Sequence, residues 1–131
     1  MSDAFGFSAL ASAFADDRKC AAIYVDAVGT VRSWNRAAET LFGYSAAEAI
    51  GRRADIIVPE SLREAHWAGF NRAILSSWRG SKTWDPIEPL HENGNLLALE
   101  VFLLSFEMSS SEPVRGVLAL FRPRLADGSK S

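Results

Sequence analysis

The apolar residues of this chain change their spacing along its length. Near the start they recur three and four residues apart, at Phe7, Leu10, Ala11 and Phe14. This spacing predicts a short helix with one apolar face, which ends at the charged run Asp-Asp-Arg-Lys. In the last third of the chain the spacing changes to the short period of strands. The pattern therefore predicts a fold that combines helices with a sheet.

Five segments rich in β-branched and aromatic residues predict strands, at residues 21–26, 30–35, 83–90, 95–106 and 114–121. The first two are joined by Asp-Ala-Val-Gly, where Gly29 suits the positive φ of a tight turn. Asn93 and Gly94 are a strong hairpin signal between the third and fourth strands. Both pairs are therefore expected to be antiparallel.

Helices are predicted between the second and third strands. Asn35 can cap a helix that ends at Gly43, and Ser45 with Glu48 three residues later forms a capping-box pattern. Pro59 suits the start of a longer helix that runs to about residue 76. The inward face of this helix is predicted to carry Leu62, His66, Phe70, Ala73 and Ile74.

Together these elements predict an α+β fold, an antiparallel sheet with short helices packed on one face. The length of 131 residues suits one domain, and an apolar content of 48% can build its core. We divide the chain into an N-terminal flanking helix at 1–19, the domain at 20–122 and a flexible tail at 123–131, which is rich in Gly, Ser and charge.

Charge and composition exclude several functions. A formal charge of −2 leaves no basic excess for nucleic acid. The apolar run at 96–104 is interrupted by Glu100 and is too short to span a membrane. The N-terminus lacks the basic start of a secretory signal, so we expect a cytoplasmic location.

A single cysteine, Cys20, excludes an internal disulfide, and two histidines provide no zinc-ligand spacing. No nucleophile, phosphate-loop, dinucleotide or zinc-hydrolase motif is present, so we expect no catalysis.

Three segments carry a family resemblance: Ile-Tyr-Val-Asp at 23–26, Val-Arg-Ser-Trp-Asn-Arg-Ala-Ala-Glu at 31–39, and Leu-Phe-Gly-Tyr-Ser-Ala-Ala-Glu-Ala-Ile-Gly at 41–51. They resemble the N-terminal half of PAS domains, and the likeness continues through 59–74, 91–94 and 116–122. The resemblance implies a five-stranded antiparallel sheet with helices over one face. It also implies a cavity between helices and sheet that binds haem, flavin or a small metabolite, or stays empty.

The helix from Pro59 through His66 to Arg72 is similar to the haem-ligating helix of rhizobial oxygen-sensing PAS kinases. That resemblance implies haem as the cofactor, with His66 as the iron ligand and Arg72 as the partner of a propionate. Phe70 shares the inward face of the helix. Val101 and Leu103, at alternate positions of a strand, correspond to the apolar distal wall. The predicted cofactor-binding residues are thus His66, Arg72, Phe70, Val101 and Leu103.

Other interpretations of these residues stay open. His66 can also be a structural histidine that is hydrogen-bonded to a carbonyl, or a residue that contacts another ligand in the cavity. Asp85 stands where the oxygen sensors carry an arginine, so the same oxygen response is not expected. Cys20 precedes the first strand, which disfavours the flavin photochemistry of the light-sensing branch. His91 is interpreted as a solvated loop residue.

We expect a sensory module that binds haem or a small molecule and signals through a partner protein or as a homodimer. The alternative is a ligand-free domain for protein interaction or dimerisation. Trp67, Trp78 and Trp84 could line the cavity, cover it or form a contact surface. The charge runs at 52–53 and 122–124 are interpreted as solvated faces.

Overall fold

The sheet has five strands, all paired antiparallel, in the order β2-β1-β5-β4-β3. A computed structural model describes residues 20–76, 78–107 and 115–124, so the helix predicted at 1–19 and the tail beyond residue 124 lie outside the described residues. The strands are β1 (Ala21–Val25), β2 (Val31–Trp34), β3 (Asp85–Ile87), β4 (Leu99–Glu107) and β5 (Arg115–Pro123).

The helices lie in sequence between β2 and β3, as predicted. They are α1 (Arg36–Phe42), α2 (Ala46–Ala49) and α3 (Arg63–Leu75), with 3₁₀ turns at Ala54–Ile57 and Glu60–Leu62. The capping box of Ser45 and Glu48 is present at the start of α2. The predicted α+β fold, with five antiparallel strands and short helices on one face, is confirmed.

Alternate residues of the strands face the helices and build the core. Phe42 of α1 is fully buried. Its ring centroid lies 5.7 Å from that of Trp34 in β2 and 5.1 Å from that of Phe121 in β5. These aromatic contacts join the start of the helical layer to the central strand. A second, smaller apolar cluster around Tyr24 and Leu118 lies on the opposite face of the sheet.

A buried side chain, Asn35, ties α1 to β1. Its Oδ1 accepts hydrogen bonds from the amide of Ala38, at 3.0 Å, and from the amide of Ala22, at 2.9 Å. Its Nδ2 donates to the carbonyl of Cys20 at 3.0 Å. The cap predicted from local sequence is therefore also a tertiary contact, because one oxygen serves a helix and a strand together.

The β1–β2 turn lies directly against α3. Asp26 accepts hydrogen bonds from the amides of Val28 and Thr30, which shapes the turn. Gly29 has φ +92°, and a Cβ at this position would lie 2.6 Å from the ring of Trp67. Glycine is therefore required both by the backbone conformation and by the close approach of the α3 aromatic ring.

The bounds of β3, β4 and β5 differ from the predicted ones by two or more residues at one end at least, whereas those of β1 and β2 differ by a single residue. Instead of 83–90, β3 spans only Asp85–Ile87, because Pro86 and Pro89 lack amide donors and the amide of Leu90 bonds to the carbonyl of Ile57. Instead of 95–106, β4 spans Leu99–Glu107. Before it, the hairpin around Asn93 and Gly94 pairs through a bridge between residues 90 and 96 and through a backbone hydrogen bond from His91 to Asn95. Finally, β5 continues to Pro123, which pairs with Leu99.

Replacing Asn35 with alanine should lower the free energy of unfolding by about 2–4 kcal/mol, because it removes a helix cap and leaves the buried amide of Ala22 without an acceptor. The control is Ser45→Ala, which removes an exposed cap that bonds only locally and should cost about 1 kcal/mol. Urea unfolding of both variants measures the difference. Equal losses would show that the bond across to β1 contributes nothing.

Gly29→Ala should destabilise the domain by at least about 2 kcal/mol, since the new methyl group meets both positive-φ strain and the Trp67 ring. Gly51 provides the control: its φ is +96° and no atom lies within 4 Å of an added Cβ. Gly51→Ala should therefore cost only the backbone strain, about 1 kcal/mol. Thermal unfolding of the two variants measures the difference. Equal melting temperatures would contradict the close contact between Gly29 and the Trp67 ring.

Candidate ligand cavity

A cavity of about 630 Å³ lies between α3 and the inner face of the sheet. This volume is in the range of roughly 300–1,000 Å³ that ligand pockets occupy. Among the described residues that line it, two have polar side chains, His66 and Glu88. The apolar lining comes from β1, the 3₁₀ turns, α3 and the last three strands: Ile23, Val25, Ala54, Ile57, Val58, Pro59, Leu62, Ala65, Gly69, Phe70, Ala73, Ile87, Pro89, Val101, Leu103, Val117, Ala119 and Phe121.

The cavity exists because α3 does not press onto the sheet. No residue of this helix is buried, although it has 13 residues. His66, Phe70 and Ala73 of the predicted inward face do line the cavity. Leu62, just before α3, borders it while 54% exposed, and Ile74 is half-buried outside the lining. The inward face of α3 therefore faces space rather than packed side chains.

The structure brings together four of the five predicted cofactor-binding residues: His66, Phe70, Val101 and Leu103 all line the cavity. Val101 and Leu103 project from β4 opposite α3, as the alternation of the strand requires. Arg72 is exposed and does not line the cavity.

The ring of His66 is held by aromatic contacts and not by hydrogen bonds. Its centroid lies 4.5 Å from the Trp67 ring, edge to face, and 6.3 Å from the Phe70 ring, stacked. Its Nδ1 is buried and has no hydrogen-bond partner among the described residues. Burial lowers the pKa of His66 below its ordinary value, an effect that the carboxylate of Asp55 opposes and the charge of Arg53 reinforces. The imidazole at neutral pH is therefore neutral, and one nitrogen lacks a partner.

A family model described as the PAS fold matches residues 16–126 of the chain. The chain belongs to the PAS fold family. Its cavity therefore occupies the place between helices and sheet that the sequence resemblance implied. The match also extends past the domain limits of 20 and 122 drawn from the sequence, which stay a prediction.

Solved PAS domains share this fold at low sequence identity. One from Colwellia psychrerythraea is 22% identical, with 90% of this chain and 97% of that chain covered at a TM-score of 0.73. The PAS domain of BvgS from Bordetella pertussis is 9% identical, with coverages of 96% and 91% and a TM-score of 0.74. A domain of a sensor histidine kinase/response regulator from Geobacter sulfurreducens is 17% identical, with coverages of 90% and 95% and a TM-score of 0.64. No curated protein matches the chain.

The tryptophans of this PAS domain lie outside the cavity lining. Trp67 points from α3 towards Gly29 of the β1–β2 turn. Its Nε1 donates to Asp55 of the first 3₁₀ turn at 2.9 Å, and the guanidinium of Arg53 lies 4.2 Å from its ring centre. Trp84 contacts Phe102, with ring centroids 5.5 Å apart. Trp78 is half-buried and also outside the lining. Of the roles considered for these residues, lining the cavity is wrong for all three.

Sequence reasoning missed two charged residues, and of these two only Glu88 lines the cavity, next to β3. Arg124 was assigned to a solvated charge run and to the tail, yet it is half-buried and follows β5 directly, with its Nε buried. The run was thus misinterpreted, because Arg122 pairs with Glu100 at 2.9 Å whereas Arg124 bonds to backbone carbonyls. Nothing in the sequence around these two arginines indicates that their partners differ.

The remaining candidates for chemistry lie apart from the cavity. Asp85 is exposed in β3 and accepts a hydrogen bond from Thr83 at 2.9 Å. The Nδ1 of His91 accepts a bond from the amide of Asn93 in the hairpin turn. Within the described residues no three His, Cys, Asp or Glu side chains are grouped to hold a metal ion. None of the described helices has the length and apolar character to cross a membrane.

The free energy of unfolding should fall as the pH drops below 6.5, because the unfolded chain then protonates His66 while the folded chain keeps it neutral. His66→Phe removes this titration and should flatten the dependence between about pH 7.5 and about pH 5.5. Phe70→Leu alters the same cavity wall without removing a titratable group and should keep the wild-type slope. Identical slopes in all three proteins would contradict the burial of His66 as a neutral imidazole.

Proposed function

We propose that this PAS domain is a non-catalytic sensory module that binds a small, largely apolar ligand beneath α3 and signals to a partner protein or a second copy. The observation that carries the proposal is the apolar cavity of about 630 Å³ that contains a buried, unpartnered nitrogen of His66. An unmade hydrogen bond costs about 1–3 kcal/mol in a protein interior. A ligand that supplies the missing partner recovers that cost and gains the burial of its apolar surface.

Haem is the first cofactor to test at this site. The residues present fit it in three respects: the apolar walls, the cavity volume, and the neutral imidazole of His66, the protonation state that binds iron. His66 would hold the iron, and Val101 and Leu103 would border the opposite side. A bound haem supplies a gas-binding or redox-active iron. Asp85 lies outside the cavity lining and supplies no donor to it.

The sheet provides a direct route for the signal. Val101, Leu103 and Ala119 line the cavity, whereas their neighbours Phe102 and Leu104 in β4 lie on the reverse face. Because successive side chains alternate between faces, a ligand that shifts β4 also moves the residues of the outer face. Such a shift implies two conformations of the sheet. The ligand changes binding to a partner only if it binds one of these conformations more tightly than the other.

A specific feature also favours the second candidate function, a ligand-free interaction domain. Trp84, Phe102 and Arg122 form a mixed aromatic and cationic patch on the outer face, with the Arg122 guanidinium 3.9 Å from the centre of the Trp84 ring. Aromatic and arginine side chains are enriched at protein interfaces. In this alternative the cavity has no role in recognition, and the patch alone contacts the partner.

Titration of the purified protein with haemin should give an intense Soret band with saturation at one haem per chain. His66→Ala should lose the band, or shift it to that of weakly held haem, because the variant removes the proposed ligand. His91→Ala, the other histidine of the chain, is the matched control and should behave as the wild type. Reduction and carbon monoxide then test whether the iron is accessible to gases.

Failure of haemin to bind stoichiometrically, or binding that is unchanged in His66→Ala, would contradict haem ligation by His66. Native mass spectrometry of the protein as purified then separates the two functions. A bound small molecule that is lost in Phe70→Trp, which fills the cavity, supports another ligand. If cavity-filling variants are stabilised and keep their partner, the ligand-free alternative stands.

A further inference from the structure

A groove on the surface adjoins the cavity. Pro59, Leu62, Ile87 and Glu88 border both spaces. The groove is lined in addition by Ser61, Pro86, Leu96 and Arg124. Leu62, one of the residues that border both spaces, is 54% exposed. A ligand that fills the cavity therefore has a path towards Arg124 between the 3₁₀ turn at Glu60–Leu62 and β3.

Arg124 is held in place with its charge unpaired. Its Nη2 donates to the carbonyl of Ile87 at 3.0 Å and lies 3.4 Å from the carbonyl of Leu99. Its Nε is buried and finds no hydrogen-bond partner in the part of the chain that the structure describes. It forms no ion pair with any residue in the described ranges. The backbone carbonyls fix the guanidinium, and no described carboxylate neutralises it.

An arginine with this environment is built to receive an anion. Withdrawing a cation from water without a partner is costly, and a buried N–H without an acceptor adds to that cost. A carboxylate removes both costs at once, because the planar guanidinium can donate two parallel hydrogen bonds to it. Arg122 differs in this respect, because its guanidinium already pairs with the carboxylate of Glu100 on the outer face.

Glu88 is the one carboxylate among the described residues that borders both the groove and the cavity. It is exposed and forms no ion pair with Arg124. Its charge repels an incoming anion, so neutralising Glu88 should strengthen the binding of an anionic ligand. This residue thus offers a test that leaves Arg124 itself intact.

We infer that the ligand of the cavity is an amphipathic carboxylate, whose apolar body lies against His66 and Phe70 and whose carboxylate pairs with Arg124. The inference rests on the proposed function, since it names the chemical class of the ligand for the same cavity. It moves the anion-binding role predicted for Arg72 to a residue at the end of β5. Arg72 is exposed and lines neither the cavity nor the groove.

The test uses a neutral fluorescent reporter of apolar cavities, Nile red, and two pairs of competitors. Each pair compares an acid with its neutral ester: dodecanoic acid with methyl dodecanoate, and haemin with haemin dimethyl ester. In the wild type at least one acid should bind about tenfold more tightly than its ester, as measured by displacement of the reporter. The reason is that a hydrogen bond to a charged group raises the binding constant by roughly a factor of ten or more. Arg124→Gln should abolish this preference and leave the ester affinity unchanged.

Arg122→Gln is the matched control, because it removes an arginine two residues away on the outer face and should keep the acid preference. Glu88→Gln should raise the affinity for the acid but not for the ester, and it decides the matter if Arg124→Gln fails to fold. Equal affinity for acid and ester in the wild type, or a preference that survives Arg124→Gln, overturns the inference and leaves the proposed cavity function standing. If neither the reporter nor any competitor binds, the proposed function itself fails.

Discussion

Hydrogen bonds from the Asn35 side chain to Ala22, Ala38 and Cys20 hold the helical layer in register with the sheet. The same oxygen ends the β1 ladder at Ala22 and starts α1 at Ala38, while the amide nitrogen reaches back to Cys20. Because these polar groups are buried, each would be costly without its partner. The position of α1 in turn brings the ring of Phe42 onto that of Phe121. The core is therefore packed beneath α1, whereas a cavity lies beneath α3.

The contrast between the two ends is the basis of the site. At the α1 end, aromatic rings pack together and three of the seven helix residues are buried, whereas α3 buries none. The contacts that hold the long helix lie in its first half, where Trp67 packs on the β1–β2 turn and Arg63 donates to the carbonyl of Val58. An apolar space remains between the helix and the sheet.

Local patterns predicted much of this architecture. Gly29, Asn35 and the pair Ser45 and Glu48 were each assigned their turn or cap from a few neighbouring residues, and the structure confirms them. The cavity residues His66 and Phe70 followed from helical spacing. The length of β3 did not, because the amide of Leu90 finds its acceptor at Ile57, over thirty residues away in sequence. Nor did the difference between Arg122 and Arg124, which depends on where β5 stops.

The sequence by itself thus determined the turns, the caps, the order of helices and strands, and the likeness to the PAS family. These features depend on φ preferences and hydrogen bonds within a few residues, so they are readable locally. Only the tertiary structure decided that α3 faces a cavity, that Arg72 lies outside it and that Arg124 adjoins it. The reason is that space and unpaired charge are set by several distant elements together: a cavity is the absence of a packing partner, and no local pattern encodes an absence.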